Sequence, residues 1–136
     1  MKTERSFAKT FDSLGEIHIF LEKSISAIGL GTKQTYTLNL AAEEIFTNMV
    51  KYGSGSSNDV KVRLSMSEKE VILCMIDSDV AEFDISSVKK IDSNRPVESI
   101  RPGGLGLHLV QNMADKFQYD YIDGSAVFTV TINTAK

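Results

Sequence analysis

Two stretches in the first half of the chain carry apolar residues at helical spacing, which predicts two amphipathic helices. The first stretch covers residues 13–28, and Ser13 is its candidate N-cap, with Glu16 three positions on as a capping-box partner. The second covers residues 32–52. Glycines at positions 29 and 31 are expected to end the first helix, and the Gly/Ser-rich segment 53–58 the second. The two apolar stripes consist of Leu14, Ile17, Leu21, Ile25 and Ile28, and of Leu38, Ala42, Ile45 and Met49.

Strand patterns surround these helices. Residues 60–66 alternate between apolar and polar, whereas the run 71–76 is apolar on both sides and predicts a central strand. An edge strand is expected within residues 3–11. A third helix is expected to end near Lys116, because Leu105, Leu109 and Met113 recur at helical spacing. Strands at 117–122 and 126–132 then close the chain around Asp123-Gly124, a strong hairpin signal.

This order of elements predicts an α+β fold: a two-layer sandwich with a mostly antiparallel sheet and three helices on one face. The length of 136 residues suits one domain, residues 1–136. Residues 77–102 are polar, poorly periodic and contain both prolines. Connections of this length are often functional, and we expect a lid at about 84–103.

Composition and charge narrow the functional classes. The hydrophobic fraction of 42% is enough for a core, and the net charge of −3 gives no positive field for nucleic acid. No apolar run reaches the roughly 18 residues of a membrane span, and no signal peptide is visible, so we expect a cytoplasmic protein without a membrane partner. A single cysteine excludes an internal disulfide, and two distant histidines argue against zinc.

Glu44 and Asn48 are four positions apart on the second predicted helix, so their side chains are neighbours. An asparagine amide oxygen suits Mg²⁺, which prefers hard ligands. A carboxylate one turn away can deprotonate an attacking hydroxyl. Taken alone, the pair is also consistent with a solvated glutamate and an asparagine on a helix face.

A glycine-rich turn, Gly103-Gly104-Leu105-Gly106, opens the third predicted helix. Glycine permits close approach of a ligand to the backbone, and a helix start offers free N–H groups and partial positive charge to phosphate. Arg101 precedes the turn and can add its charge. The competing interpretation is a hinge that merely starts a helix, beside a surface arginine. Asp77 ends the central strand, where a carboxylate can accept a hydrogen bond from the adenine amine; alone, it also fits a turn aspartate.

Together these features resemble the GHKL (Bergerat-fold) ATPases, and among them the anti-sigma-factor serine kinases. Residues 41–52 are similar to the N box of that family, residues 77–84 to the G1 box and residues 101–110 to the G2 box at the end of the ATP lid. Asp123-Gly124-Ser125 stands in the place of the G3 box. The resemblance spans nearly the whole chain in the same order and spacing.

The resemblance implies a role for each matching residue. Glu44 would be the general base, Asn48 the Mg²⁺ ligand and Asp77 the reader of adenine, while Ser125 stands near the adenine where the family usually has threonine. The phosphates of ATP would lie against the G2 box, at Arg101, Gly103, Gly104, Leu105, Gly106 and Leu107. The implied reaction is transfer of the γ-phosphate of ATP to a serine or threonine hydroxyl of an anti-sigma-factor antagonist. A sigma factor is the implied second partner, and a homodimer the implied assembly.

The G1 segment departs from the family pattern Asp-x-Gly-x-x-Phe-Asp. Asp79 stands in place of the glycine, and one extra residue precedes Phe83. Counting back from Phe83 would place Ser78 at the adenine, but the apolar strand fixes the end of the sheet and favours Asp77. Because Asp79 adds a Cβ atom and a negative charge, a second hypothesis is a non-catalytic protein-binding module with a weakened nucleotide site.

A third hypothesis is the catalytic domain of a sensor histidine kinase. The sequence argues against a complete kinase of that class, because no helical dimerisation segment with a phosphoacceptor histidine precedes the domain. His18 lies inside the first predicted helix of the domain itself.

Overall fold

The computed structural model describes residues 1–26, 28–52, 58–78, 80 and 104–134, without the side chains of Tyr52 and Leu105. The predicted lid at 84–103, with Arg101 and Gly103, lies outside these residues, as does Asp79. The described elements are β1 (Lys2–Phe7), a short 3-10 helix (Phe11–Ser13), α1 (Leu14–Ile25), α2 (Thr32–Tyr52), β2 (Val60–Met66), β3 (Glu70–Asp77), α3 (Gly104–Met113), β4 (Lys116–Ile122) and β5 (Ser125–Asn133).

The five strands form one antiparallel sheet in the order β1-β2-β3-β5-β4, which confirms the predicted α+β class. β3 occupies the centre, as its two-sided apolar run predicts. One row of paired residues crosses the sheet: Phe7 faces Val60, Val60 faces Asp77, and Asp77 faces Ala126. The chain leaving β1 therefore emerges at the same end of the sheet as the chain leaving β3.

The core lies between the sheet and the helices, and α2 forms its middle. α2 packs on β3 and β5 and also contacts α1 and α3. Its fully buried residues are Leu38, Ala41, Ala42, Ile45 and Phe46. Burying a large apolar side chain of this kind contributes roughly 1.5–3 kcal/mol. α2 is therefore a firmly anchored support for any side chain on its remaining face.

Helix α1 begins differently from the sequence expectation. Ser13 does not cap it, because residues 11–13 already form a 3-10 turn and the Ser13 N–H donates to the Thr10 carbonyl at 3.1 Å. The Ser13 hydroxyl instead donates to the Ala8 carbonyl at 2.7 Å. Glu16 pairs with Arg5 at 3.2 Å rather than closing a capping box.

The ends of other elements also shifted from their predicted positions. α1 ends at Ile25 instead of residue 28, ahead of Gly29, whose φ is +61°. β1 ends at Phe7 because its partner, Val60, is the first residue of β2. The Asp123-Gly124 turn is confirmed: both residues have positive φ, +49° and +81°, the backbone of a two-residue hairpin turn.

Candidate functional site between α2 and α3

The contact between α2 and α3 joins the two features that the sequence singles out. A Cβ atom built on Gly106 would overlap the carboxyl group of Glu44. Only glycine at this position lets the first turn of α3 lie directly against that carboxyl group. The structure thus brings Glu44 together with the part of the glycine turn that it describes.

The environment of Glu44 favours its protonated form. Burial raises the pKa of the Glu44 carboxyl above its usual value, and the negative charge of Glu43 raises it further, while Lys51 opposes both. A carboxylate with a raised pKa is a stronger base than an ordinary glutamate. The side chain remains partly exposed, so it is accessible to a reacting group.

Asn48 lies one turn beyond Glu44 on α2 and is only 4% exposed. Among the described residues, no hydrogen bond to its side-chain amide is present. The amide oxygen is a hard ligand of the type that Mg²⁺ accepts. Asn48 could therefore be the protein ligand of a Mg²⁺ ion that is otherwise coordinated by phosphate oxygens and water.

The start of α3 is fixed by its apolar side. Leu107 and Val110 are fully buried in the core, and the helix begins at Gly104. The first N–H groups of a helix have no partner within it, and they attract anions. Leu107 therefore has only its backbone to offer a ligand. Of the residues expected to bind phosphate, the structure describes the backbone of residues 104–107.

Asp77 has a partner that the sequence did not predict. Lys9 Nζ lies 2.9 Å from Asp77 Oδ1, and the two side chains are 6% and 2% exposed. Burial raises the pKa of the Asp77 carboxyl, whereas the hydrogen bond and charge of Lys9 oppose that rise. The sequence prediction extended β1 past Lys9 and so missed that Lys9 is the second residue after the strand.

Ser125 lies beside the chain leaving β3. Its hydroxyl donates to the Ser78 hydroxyl at 3.5 Å, and the Val80 N–H donates to the Gly124 carbonyl at 3.0 Å. The Tyr121 hydroxyl donates to the Val80 carbonyl at 2.6 Å. These bonds tie the start of the G1 segment to the β4–β5 hairpin.

The two candidates for the adenine position differ in their placement. Asp77 is buried on the helix-facing side of β3, on the same side as Leu73 and Met75. Ser78 is half-buried, next to Ser125. The alternation of β3 therefore directs Asp77, rather than Ser78, into the layer between sheet and helices.

Comparison with known proteins agrees with this architecture. Residues 7–132 match the family model of the histidine kinase-like ATPase domain. The serine-protein kinase RsbW of Bacillus cereus (strain G9842) is 24% identical over 131 residues, which are 93% of this chain and 81% of the relative. RsbW of Bacillus cereus (strain ATCC 10987 / NRS 248) is 22% identical over the same shares.

Solved structures share the fold at low identity. The RsbU and RsbW domains of Rv1364c from Mycobacterium tuberculosis match with a TM-score of 0.73 and 13% identity over 100% of this chain, which spans 33% of that chain. The SiaB–SiaC complex from Pseudomonas aeruginosa matches with a TM-score of 0.63 and 14% identity, over 96% of this chain and 89% of that chain. The histidine kinase AdeS from Acinetobacter baumannii matches with a TM-score of 0.56 and 13% identity, over 98% of this chain and 68% of that chain.

No helix among the described residues is long and apolar enough to cross a membrane.

The family model covers nearly the whole chain, and the resemblance to GHKL ATPases is confirmed. The chain therefore belongs to the histidine kinase-like ATPase domain family.

Proposed function

We propose that this chain is an ATP-dependent serine/threonine protein kinase of the anti-sigma-factor type, acting in the cytoplasm on an anti-sigma-factor antagonist. The observation that carries the proposal is the contact of the Glu44 carboxyl group with Gly106 at the start of α3. This contact sets a base beside a helix end suited to phosphate. The serine-protein kinases among the relatives support the same activity.

The triphosphate of ATP is proposed to lie at the first turn of α3, with Asn48 as the protein ligand of Mg²⁺. The metal, when bound, neutralises charge on the phosphate oxygens. The backbone N–H groups of residues 104–107 add electrostatic stabilisation without reorganisation, since they are fixed by the buried side of α3.

Glu44 is proposed to orient the attacking hydroxyl and accept its proton. The hydroxyl oxygen of the substrate forms a bond to the γ-phosphorus as the bond to the β,γ-bridging oxygen breaks, and ADP leaves. The proton ends on the Glu44 carboxylate, whose raised pKa lets it hold a proton better than an ordinary glutamate.

The proposed protein partners are the antagonist, a sigma factor and a second copy of the chain. A structural relative whose structure is a two-protein complex, SiaB–SiaC, supports a protein partner. The net charge of −3 gives no support for a nucleic-acid partner.

A non-catalytic binding module is the second candidate, because Asp79 stands where the family pattern has a glycine and adds a negative charge. Calorimetry with Mg-ATP and ADP separates the two functions. Saturable binding at micromolar nucleotide contradicts the module, whereas no heat at millimolar nucleotide favours it.

Substituting Glu44→Gln tests the proposed base. The amide keeps the size of the side chain but cannot accept the proton, so we expect phosphotransfer to fall by about 10²–10⁴-fold while Mg-ATP still binds. The assay is transfer of labelled γ-phosphate to a recombinant anti-sigma-factor antagonist protein, with Glu43→Gln as the control at pH 8. Unchanged turnover in the Glu44 variant would rule out the assignment.

Substituting Gly106→Ala tests the contact itself. The overlap falls on the flexible end of Glu44, so the side chain can move away and the fold survives. We expect the free energy of unfolding to change by less than about 1 kcal/mol, since alanine also favours a helix more than glycine. Phosphotransfer should nevertheless fall by roughly tenfold or more, because a displaced base is poorly positioned. Denaturant unfolding and the same transfer assay measure both effects, and full activity in a folded variant would contradict the geometry.

Substituting Glu43→Gln tests whether the charge of Glu43 raises the pKa of Glu44, which the pH dependence of kcat reports. Glu44 acts when ionised, so activity is lost as the pH falls through its raised pKa. The negative charge of Glu43 raises that pKa, and its removal should therefore move the acid limb of the kcat profile to lower pH. Glu22→Gln, an exposed change on α1, is the control and should leave the limb in place. A Glu43→Gln limb that stays or moves to higher pH would refute the proposed coupling.

A further inference from the structure

The Lys9–Asp77 ion pair is the most buried pair of opposite charges among the described residues. Its partners come from different segments, the turn after β1 and the last residue of β3, and they meet because the β1-β2-β3 register brings both chain ends to one end of the sheet. Burying two charges is costly and is tolerated only when each is well paired. A buried pair of this kind is therefore weak evidence for stability alone.

Within the described part of the chain, Lys9 is the charged group that faces Asp77. The residues paired with Asp77 on the flanking strands are Val60 and Ala126, both apolar and buried. α2, the helix packed on β3, covers this side of the sheet with apolar residues such as Ile45 and Met49. Lys9 bonds to Oδ1, and no other hydrogen bond to the carboxylate is present within the described residues.

We propose that Lys9 is a positioning residue of the site for the adenine ring: it keeps Asp77 ionised, so that the Asp77 carboxylate only accepts hydrogen bonds. The carboxylate oxygen not bonded to Lys9 then selects a purine with a 6-amino group over one with a 6-keto group. This inference rests on the proposed function, because it requires that nucleotide binds with its base at Asp77.

The chemistry follows from the donors and acceptors of a carboxyl group. An ionised carboxylate only accepts hydrogen bonds, so it favours an amine and repels a keto oxygen. A protonated carboxyl group also carries an O–H donor, which a keto oxygen can accept. Burial favours the protonated form, and the ammonium of Lys9 opposes it. Without Lys9 the discrimination between the two bases should weaken, most strongly at low pH.

The test compares binding of ATP and inosine triphosphate, which differ at the 6-position of the purine. Calorimetry at pH 6 and pH 8 is run on the full chain and on Lys9→Met, Lys9→Arg and Lys69→Met. Lys69→Met is the matched control, because Lys69 is an exposed residue in the β2–β3 turn. Thermal unfolding of each variant establishes that it is folded.

We expect the unaltered chain, Lys9→Arg and Lys69→Met to prefer ATP by at least about tenfold at both pH values, the discrimination expected of a hydrogen bond to a charged group. Lys9→Met should lose about tenfold of that preference at pH 6 and regain part of it at pH 8. If Lys9→Met does not fold, Lys9→Gln keeps a hydrogen-bond donor without the charge and should show the same pH dependence.

A folded Lys9→Met or Lys9→Gln variant with the unaltered preference at both pH values would overturn the inference and leave the proposed kinase intact. Equal binding of ATP and inosine triphosphate by the unaltered chain would overturn it in the same way. Absence of binding of either nucleotide to the unaltered chain would refute the proposed function, and the inference with it.

Discussion

The approach of α3 to α2 at Gly106 is the constraint on which the candidate site depends. Both helices are held from their buried sides, α2 by Ile45 and Phe46 and α3 by Leu107 and Val110. Their contact therefore leaves little freedom in the separation between the Glu44 carboxyl group and the first turn of α3. A side chain larger than hydrogen at position 106 would displace the carboxyl group, so the site is set by packing as much as by charge.

The opposite end of the site is governed by electrostatics. Asp77 and Lys9 form a buried ion pair, and the hairpin holds the following segment through Ser125 and Tyr121. In the proposed site, the part that binds phosphate is positioned by helix packing, and the part that binds adenine is positioned by the Lys9–Asp77 ion pair. This division accounts for an acidic chain that is proposed to bind an anionic nucleotide, because backbone N–H groups at a helix start provide local positive potential.

The sequence predicted the elements whose signals are local. The bounds of α2 and β2 agree with the prediction, and the Asp123-Gly124 turn has the positive φ angles that such a pair favours. The predicted Ser13 cap at the start of α1 was wrong, because residues 11–13 form a 3-10 turn and the Ser13 hydroxyl donates to the Ala8 carbonyl instead. The meeting of Glu44 with Gly106 could be anticipated only through a family resemblance, because their contact depends on how two distant helices pack.

The Lys9–Asp77 pair illustrates what local patterns cannot supply. Lys9 lies in a segment with no distinctive periodicity, and its partner is fixed by the register of three strands. The expected edge strand ran to residue 11, four residues past the end of β1 at Phe7, and so hid that Lys9 lies in the turn after the strand. The alternation of β3 also places Asp77, and not Ser78, on the helix-facing side of the sheet, whereas the motif spacing alone left both positions open.

The central claim is that Mg-ATP binds where the first turn of α3 meets Glu44 and Asn48 of α2, and a crystal structure with Mg²⁺ and a non-hydrolysable ATP analogue tests it most directly. We expect the triphosphate at the first turn of α3, the metal bound to Asn48 and the adenine ring hydrogen-bonded to Asp77. A nucleotide bound elsewhere on the chain, or a metal without Asn48 among its ligands, would contradict it.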